Sequence, residues 1–333
     1  MHSTLVITIL IVAFTLIFDF INGFHDTATA VATTISTKAL TPKRAILICS
    51  IFNFVGAFLG TSVAKTVGSK IVSYASIPQW VILCVLISAI AWNLITWYFG
   101  IPSSSSHAII GALVGGGIAY TLSFNTVNWD ELFRTVILWL FLSPVIGFGV
   151  GYVFMFILNK LLSPFKISIV NRLFLKLQIF AAAFMSLNHG TNDAQKSMGI
   201  ITMALVSGGF ISGGFTVPTW VIFCCALAMA LGTSLGGKRI IKTMGNGVAK
   251  LTPVSGFTAQ TGAACVILAA TSFHAPVSTT HIMTTTIMGV GASKRFKSVK
   301  WGVAKSIVWA WVLTIPITAS ISGLLIMLVK LFI

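Results

Sequence analysis

Asn22 to Ile35 of this 333-residue chain reads NGFHDTATAVATTI, and Asn188 to Ile201 reads NHGTNDAQKSMGII. Superposed on their aspartates, Asp26 and Asp193, the two stretches also match Gly23 with Gly190, 167 residues apart. Each lies within a long apolar run. A carboxylate at the centre of a bilayer costs about 2.5–3.5 kcal/mol on insertion scales, so such a residue faces a cavity and a cation or proton. A single one could be satisfied by a helix cap or by a basic neighbour, as Asp193 would be by Lys196. Two in matched positions, each flanked by Asn, Gly and Thr, point to a site that both halves of the chain build.

The match continues outward. PSSSSHAIIGALVG (Pro102 to Gly115) pairs with PVSTTHIMTTTIMG (Pro276 to Gly289) at an offset of 174 residues. Trp129, Trp139 and Pro144 pair with Trp301, Trp311 and Pro316 at 172. One duplication explains all three offsets.

Only 8% of residues are charged and 56% are hydrophobic, with a mean hydropathy of +1.00. Soluble domains carry about a quarter charged residues, so a soluble enzyme, a secreted scaffold and a disordered tail are excluded. The net charge of +16 would fit a nucleic-acid binder, but not in so apolar a chain. No nucleic-acid partner is expected. Five cysteines (Cys49, Cys84, Cys224, Cys225, Cys265) lie in apolar runs without metal or disulfide spacing. The N-terminal MHSTLVITILIVAF lacks the basic region of a cleaved signal and reads as a first span.

A span needs about 20 mostly apolar residues. Ten segments qualify: 5–36, 43–64, 77–99, 103–121, 134–160, 177–207, 216–236, 255–271, 277–292 and 304–330. Those at 103–121, 255–271 and 277–292 could be re-entrant. Threading ten crossings puts four basic clusters on one side, taken as cytoplasmic. They are Lys38/Lys43/Arg44, Lys160/Lys166/Arg172/Lys176, Lys238/Arg239/Lys242/Lys250 and Lys294/Arg295/Lys297/Lys300; Lys65 and Lys70 are the exceptions. Both termini then fall outside. With five segments per half, the halves enter the membrane in opposite senses, as in many secondary transporters. The expected fold is an all-α polytopic membrane protein of two inverted repeats, residues 1–165 and 166–333, with broken helices and re-entrant hairpins near the midplane.

Asn22-Gly23 and Asn188-His189-Gly190 disfavour helix, so both aspartate helices are expected to unwind there. Exposed carbonyls would coordinate a small cation, and Asp26-Thr27 and Asp193-Ala194 would sit near new helix N-termini. Pro102 and Pro276 suit helix starts, with Ser103–Ser106 and Ser278–Thr280 supplying hydroxyls and free N–H groups for an anion. His107 and His281 read either as proton carriers or as donors that lock the hairpins. Asp19 could add an ion or proton ligand, and Arg134 and Lys196 are the bases expected nearest the membrane interior. Adjacent Ser and His on one helix point about 100° apart, which disfavours an intramembrane Ser–His hydrolase. A passive anion channel is a further alternative.

These motifs, taken together from Asp19 to Pro316, resemble the inorganic phosphate transporter (PiT) family, bacterial low-affinity permease type. The resemblance implies a phosphate–cation symporter, not an enzyme, in the bacterial cytoplasmic membrane, working by alternating access without a cofactor. It also implies a homodimer. Carried over, Asn22, Asp26, Asn192 and Asp193 would couple to the cation, a proton or sodium, and His25 is expected to join them. Asp26 and Asp193 would be the contacts for sodium or a metal–phosphate complex. Thr27, Ser105, Ser106, Thr279 and Thr280 would line the phosphate, and Ala194, beside its expected helix N-terminus, is placed with them. His25 stands where sodium-coupled relatives have Asn, which favours a proton, and Thr29 stands where many have Asn. Sulfate remains an alternative substrate.

Overall fold

Inside a bilayer each backbone N–H and C=O must find a partner within the protein, and a helix supplies it within one segment. The computed structural model describes residues 2–72, 77–212, 214–236, 238–246 and 248–332; the side chains of Lys238 and Arg239 lie outside the described residues. The helices are α1 (His2–Ser36), α2 (Pro42–Gly56), α3 (Ser62–Lys65), α4 (Gln79–Phe99), α5 (Ser105–Thr121), α6 (Trp129–Leu132), α7 (Leu138–Leu162), α8 (Ile167–Ser207), α9 (Thr219–Leu235), α10 (Lys238–Asn246), α11 (Pro253–Ser272), α12 (Thr279–Lys294) and α13 (Trp301–Lys330). A π-helical turn at Phe133–Ile137 joins α6 to α7 as one rod. Among the described residues six helices are long and apolar enough to cross a membrane. Exposed Leu5, Ile9, Phe141, Val145, Phe156 and Leu324 give these helices an apolar surface suited to lipid.

Four of the ten expected segments are short helices: α2, α5, α9 and α12 have 15, 17, 17 and 16 residues. At 1.5 Å per residue they reach about 25 Å at most, short of the ~30 Å hydrocarbon core. Segment 43–64 is not one span. It breaks after Gly56, and the N–H groups of Val63 and Ala64 at the start of α3 donate to Gln195 Oε1 at 2.7 and 3.3 Å. Segment 255–271 is α11, a 20-residue helix long enough to cross.

The expected helix breaks do not occur. α1 and α8 run unbroken through Asn22-Gly23 and Asn188-His189-Gly190. The glycines serve packing instead. A Cβ on Gly23 would lie 2.3 Å from Met229 O of α9, and one on Gly190 would lie 2.2 Å from Asn53 O of α2. Small residues let two membrane helices approach backbone to backbone. Arg134 also departs from expectation, standing exposed and pairing with Asp130 at 2.9 Å.

The same contacts recur in both halves. α1 packs along α9 as α8 does along α2, and α5 along α13 as α12 does along α7. Val72 bridges Val127, and Ala249 bridges Val299. Trp129 Nε1 donates to Phe124 O at 2.9 Å, and Trp301 Nε1 to Phe296 O at 3.0 Å. Thr66 Oγ1 donates to His274 O and Thr243 Oγ1 to Gly100 O, each at 3.1 Å. All four helix pairs join elements from opposite sides of residue 165, so the halves interlock.

Candidate functional site

α1 and α8 bring their aspartates to the centre of the fold, where the first turns of α5 and α12 meet them. Asp26 and Asp193 are 2% and 1% exposed, so only protein groups reach them here. Ser104 and Ser278 cap the two short helices, accepting from His107 N and His281 N at 3.2 Å each. Capping by the earlier serine leaves the next two hydroxyls of each helix free to reach inward. Ser105 Oγ donates to Asp26 Oδ2 at 3.0 Å, and Thr280 Oγ1 to Oδ1 at 3.2 Å. One carboxylate of the first half is thus held by hydroxyls of both.

His25 Nδ1 donates to the same carboxylate, 2.8 Å from Asp26 Oδ1. Its Nε2 lies 3.1 Å from Thr96 Oγ1 and 3.4 Å from Ser103 Oγ. Asp193 Oδ1 accepts from Lys196 Nζ at 2.6 Å. That ammonium also donates to Ser106 Oγ, which donates onward to Val277 O at 2.9 Å.

Tracing donors assigns the Nδ1 hydrogen of His189. Thr233 Oγ1 donates to Met229 O at 2.9 Å, so it accepts from Asn53 Nδ2 at 3.0 Å. Asn53 Oδ1, 3.2 Å from His189 Nδ1, then accepts the imidazole N–H. In the neutral ring Nε2 carries a lone pair, 3.4 Å from Asp193 Oδ2. Neither atom has a hydrogen-bond partner. A carboxylate oxygen of Asp26 completes the group: Asp26, His189 and Asp193 place one ligand atom each within 4.8 Å of one another. Three electron-rich atoms converging in a buried space are complementary to a cation or proton.

The remaining expected residues divide. Thr279 is buried at the start of α12, its Oγ1 without a partner. Asn192 Nδ2 donates to Thr271 Oγ1 at 2.9 Å and Ala275 O at 3.1 Å, leaving Oδ1 bare. Asn22 and Asp19 are fully buried, without a hydrogen bond to either side-chain polar atom. Thr27 and Ala194 do not join the site. Thr27 Oγ1 donates to Gly23 O at 2.5 Å and Thr233 O at 3.3 Å, toward α9. Ala194 packs with Ala57, Ala64 and Met198, and the unbroken helix already engages its N–H. Both were expected beside new helix N-termini, which do not form. His107 and His281 face one another with ring centroids 4.9 Å apart, and His281 stacks on Trp311 at 4.0 Å.

Sequence reasoning missed Asn53, Thr96 and His189. Asn53 and Thr96 are isolated polar residues in apolar spans, a detectable sign of buried polar chemistry. His189 aligns with Asn22, four residues before its aspartate.

Long apolar helices around a buried, charged site entered by two short helices define the class: a multi-pass membrane transporter. The profile of the phosphate transporter family matches residues 22–322, and the chain belongs to that family, whose members are transporters and not enzymes. It is 49% identical to a probable low-affinity inorganic phosphate transporter of Bacillus subtilis (strain 168), over 97% of both chains. It is 46% identical to another from Rhizobium meliloti (strain 1021), again over 97% of each. A solved structure described as the sodium-dependent phosphate transporter is similar with a TM-score of 0.87 and 25% identity, covering 98% of this chain and 100% of that one.

Proposed function

We propose that the protein carries inorganic phosphate into the cell together with a cation, by alternating access. The observation that carries this reading is the hold of Ser105 and Thr280 on Asp26. These hydroxyls, with Ser106 and Thr279, crown two helix N-termini, an arrangement suited to an oxyanion. A hydroxyl hydrogen given to Asp26 is not available to phosphate. Cation binding at Asp26, His189 and Asp193 weakens the carboxylate's claim and releases the donors. It also removes repulsion: two unit charges 4 Å apart cost about 4 kcal/mol at an effective dielectric near 20, roughly a thousandfold in affinity. Anion and cation therefore bind together.

His25, hydrogen-bonded to Asp26 at the edge of the Asp26–His189–Asp193 group, supports a proton as the coupling ion taken up there. The recurrence of contacts in the two halves supports two repeats, 1–165 and 166–333; the odd number of segments in each and the Lys and Arg distribution support opposite insertion with both termini outside. The resemblance to the family further implies a homodimer. Uptake of radiolabelled phosphate or sulfate into proteoliposomes, under an imposed proton or sodium gradient, tests the reading. Accumulation of phosphate driven by one gradient is expected. Flux that ignores both gradients would leave a passive channel, and sulfate accumulation in place of phosphate would change the substrate.

A further inference from the structure

Lys196 is fully buried, an uncommon state for a lysine. It lies on α8 within hydrogen-bond reach of Asp193 and of Ser106 on α5, and its charge is felt at Asp19, Asp26 and His107. The corresponding residue of the first half, 167 positions earlier, is Thr29, whose hydroxyl merely donates to Asp26 O at 2.7 Å. Nothing comparable to the lysine stands beside Asp26, where a neutral hydroxyl pair and His25 hold the carboxylate. The two halves therefore treat their matched aspartates differently: one carries a permanent counter-charge on its own helix, and the other does not.

We infer that Lys196 is a resident cation that occupies one of two cation places at the paired aspartates, and so fixes how many external cations accompany each phosphate. Asp26 and Asp193 together carry two negative charges; Lys196 supplies one positive charge that never leaves. One external cation then neutralises the pair, entering beside Asp193 Oδ2, His189 Nε2 and Asp26. A lysine tethered three residues from its carboxylate carries no free energy from the ion gradient, because it does not cross the membrane. The inference rests on the symport reading, and it concerns only the difference between variants. Asp19, His25 and His189 contribute equally to each, so their protonation does not alter the expected order.

The coupling ratio tests it. In proteoliposomes the ratio follows from the phosphate gradient that just balances an imposed cation gradient at zero net flux. Lys196→Gln should raise the number of cations per phosphate by one, because Asp193 then needs an external partner. Asp193→Asn should lower it by one, leaving phosphate exchange without gradient-driven accumulation. The double variant D193N/K196Q should return to the wild-type ratio at whatever rate it runs. An unchanged ratio in Lys196→Gln with a raised KM for phosphate would overturn the inference and make Lys196 a direct anion contact. Should Lys196→Gln prove inactive or fail to fold, the double variant decides. A wild-type ratio upholds the resident cation, whereas a lower ratio or an inactive double variant overturns it. If the wild-type protein itself ignores every cation gradient, the symport reading fails first, and that result is distinct from any difference among variants.

Discussion

Asp26 accepts the hydroxyl hydrogens that an oxyanion would also need, so Ser105 and Thr280 cannot serve both acceptors fully at once. This competition makes the first prediction specific. Asp26→Asn keeps the shape and an acceptor oxygen but removes the charge that calls for a cation. It should fold as a monodisperse membrane protein, bind phosphate without a cation requirement, and lose gradient-driven accumulation. Accumulation by a well-folded Asp26→Asn protein would remove Asp26 from the cation site. Replacing Ser105 and Thr280 with Ala should weaken phosphate binding by about tenfold. A hydrogen bond to a charged group contributes about 1.5–3 kcal/mol, and the hydroxyls give up Asp26 to reach phosphate, so only part of that is at stake. Binding of phosphate to detergent-purified protein checks the number; lower expression with unchanged affinity would assign the hydroxyls to capping alone. At this scale the sequence was informative where both halves carry the same residue type. Asp26 is matched by Asp193, and the hydroxyl of Ser105 by that of Thr279. Thr96, Asn53 and His189 were not legible as site residues, because their roles arise from helices that meet only in three dimensions.

Helices α1 and α8 show why the path of the backbone was harder to read than its chemistry. A glycine beside an asparagine in an apolar run is compatible with a break or with a close crossing, and propensity alone does not choose. The neighbouring helix chooses. Gly23 meets Gly232 and Met229 of α9, while Gly190 meets Asn53 of α2, and no side chain fits between the backbones. The approximate positions of the six long helices were legible from apolar run length. That four of the ten segments are too short to cross was not, nor was the split of segment 43–64, whose second piece is capped by Gln195 from a helix more than a hundred residues away. The packing account predicts that Gly23→Ala destabilises the protein by about 1–3 kcal/mol, the usual cost of overpacking. Thermal unfolding in detergent should show it. Gly149→Ala is the control, because a Cβ there has nothing within 4 Å; equal melting of both variants would show that the crossing of α1 and α9 accommodates a methyl group and would overturn the packing account.

Across the whole molecule, the buried aspartates and the paired contacts raise the question of what moves. Phosphate cannot reach Asp26 or Asp193 while both are at most 2% exposed, so a transporting molecule opens elsewhere in its cycle. Two matched contacts are placed to open alternately. Thr66, in the turn after α3, holds the linker before α12 through His274 O; Thr243, on α10, holds the linker before α5 through Gly100 O. A hydrogen bond of this kind is worth about 0.5–1.5 kcal/mol net, which is small enough to break on every cycle. Each also ties one half of the chain to the other. If the halves are inverted in the membrane, the two ties lie on opposite faces, and rocking one half against the other opens one while the second stays closed. Cysteine pairs at Thr66 and His274, and at Gly100 and Thr243, in a background without the five native cysteines, should therefore each stop phosphate uptake when oxidised and restore it when reduced. The faces should differ as well. With a reporter cysteine at Ser103, an impermeant thiol reagent should reach the site from one side of the membrane in the first locked variant and from the other side in the second. Labelling from the same side in both would show that the paired contacts do not belong to opposite gates, and transport by either oxidised pair at the wild-type rate would show that its contact never opens.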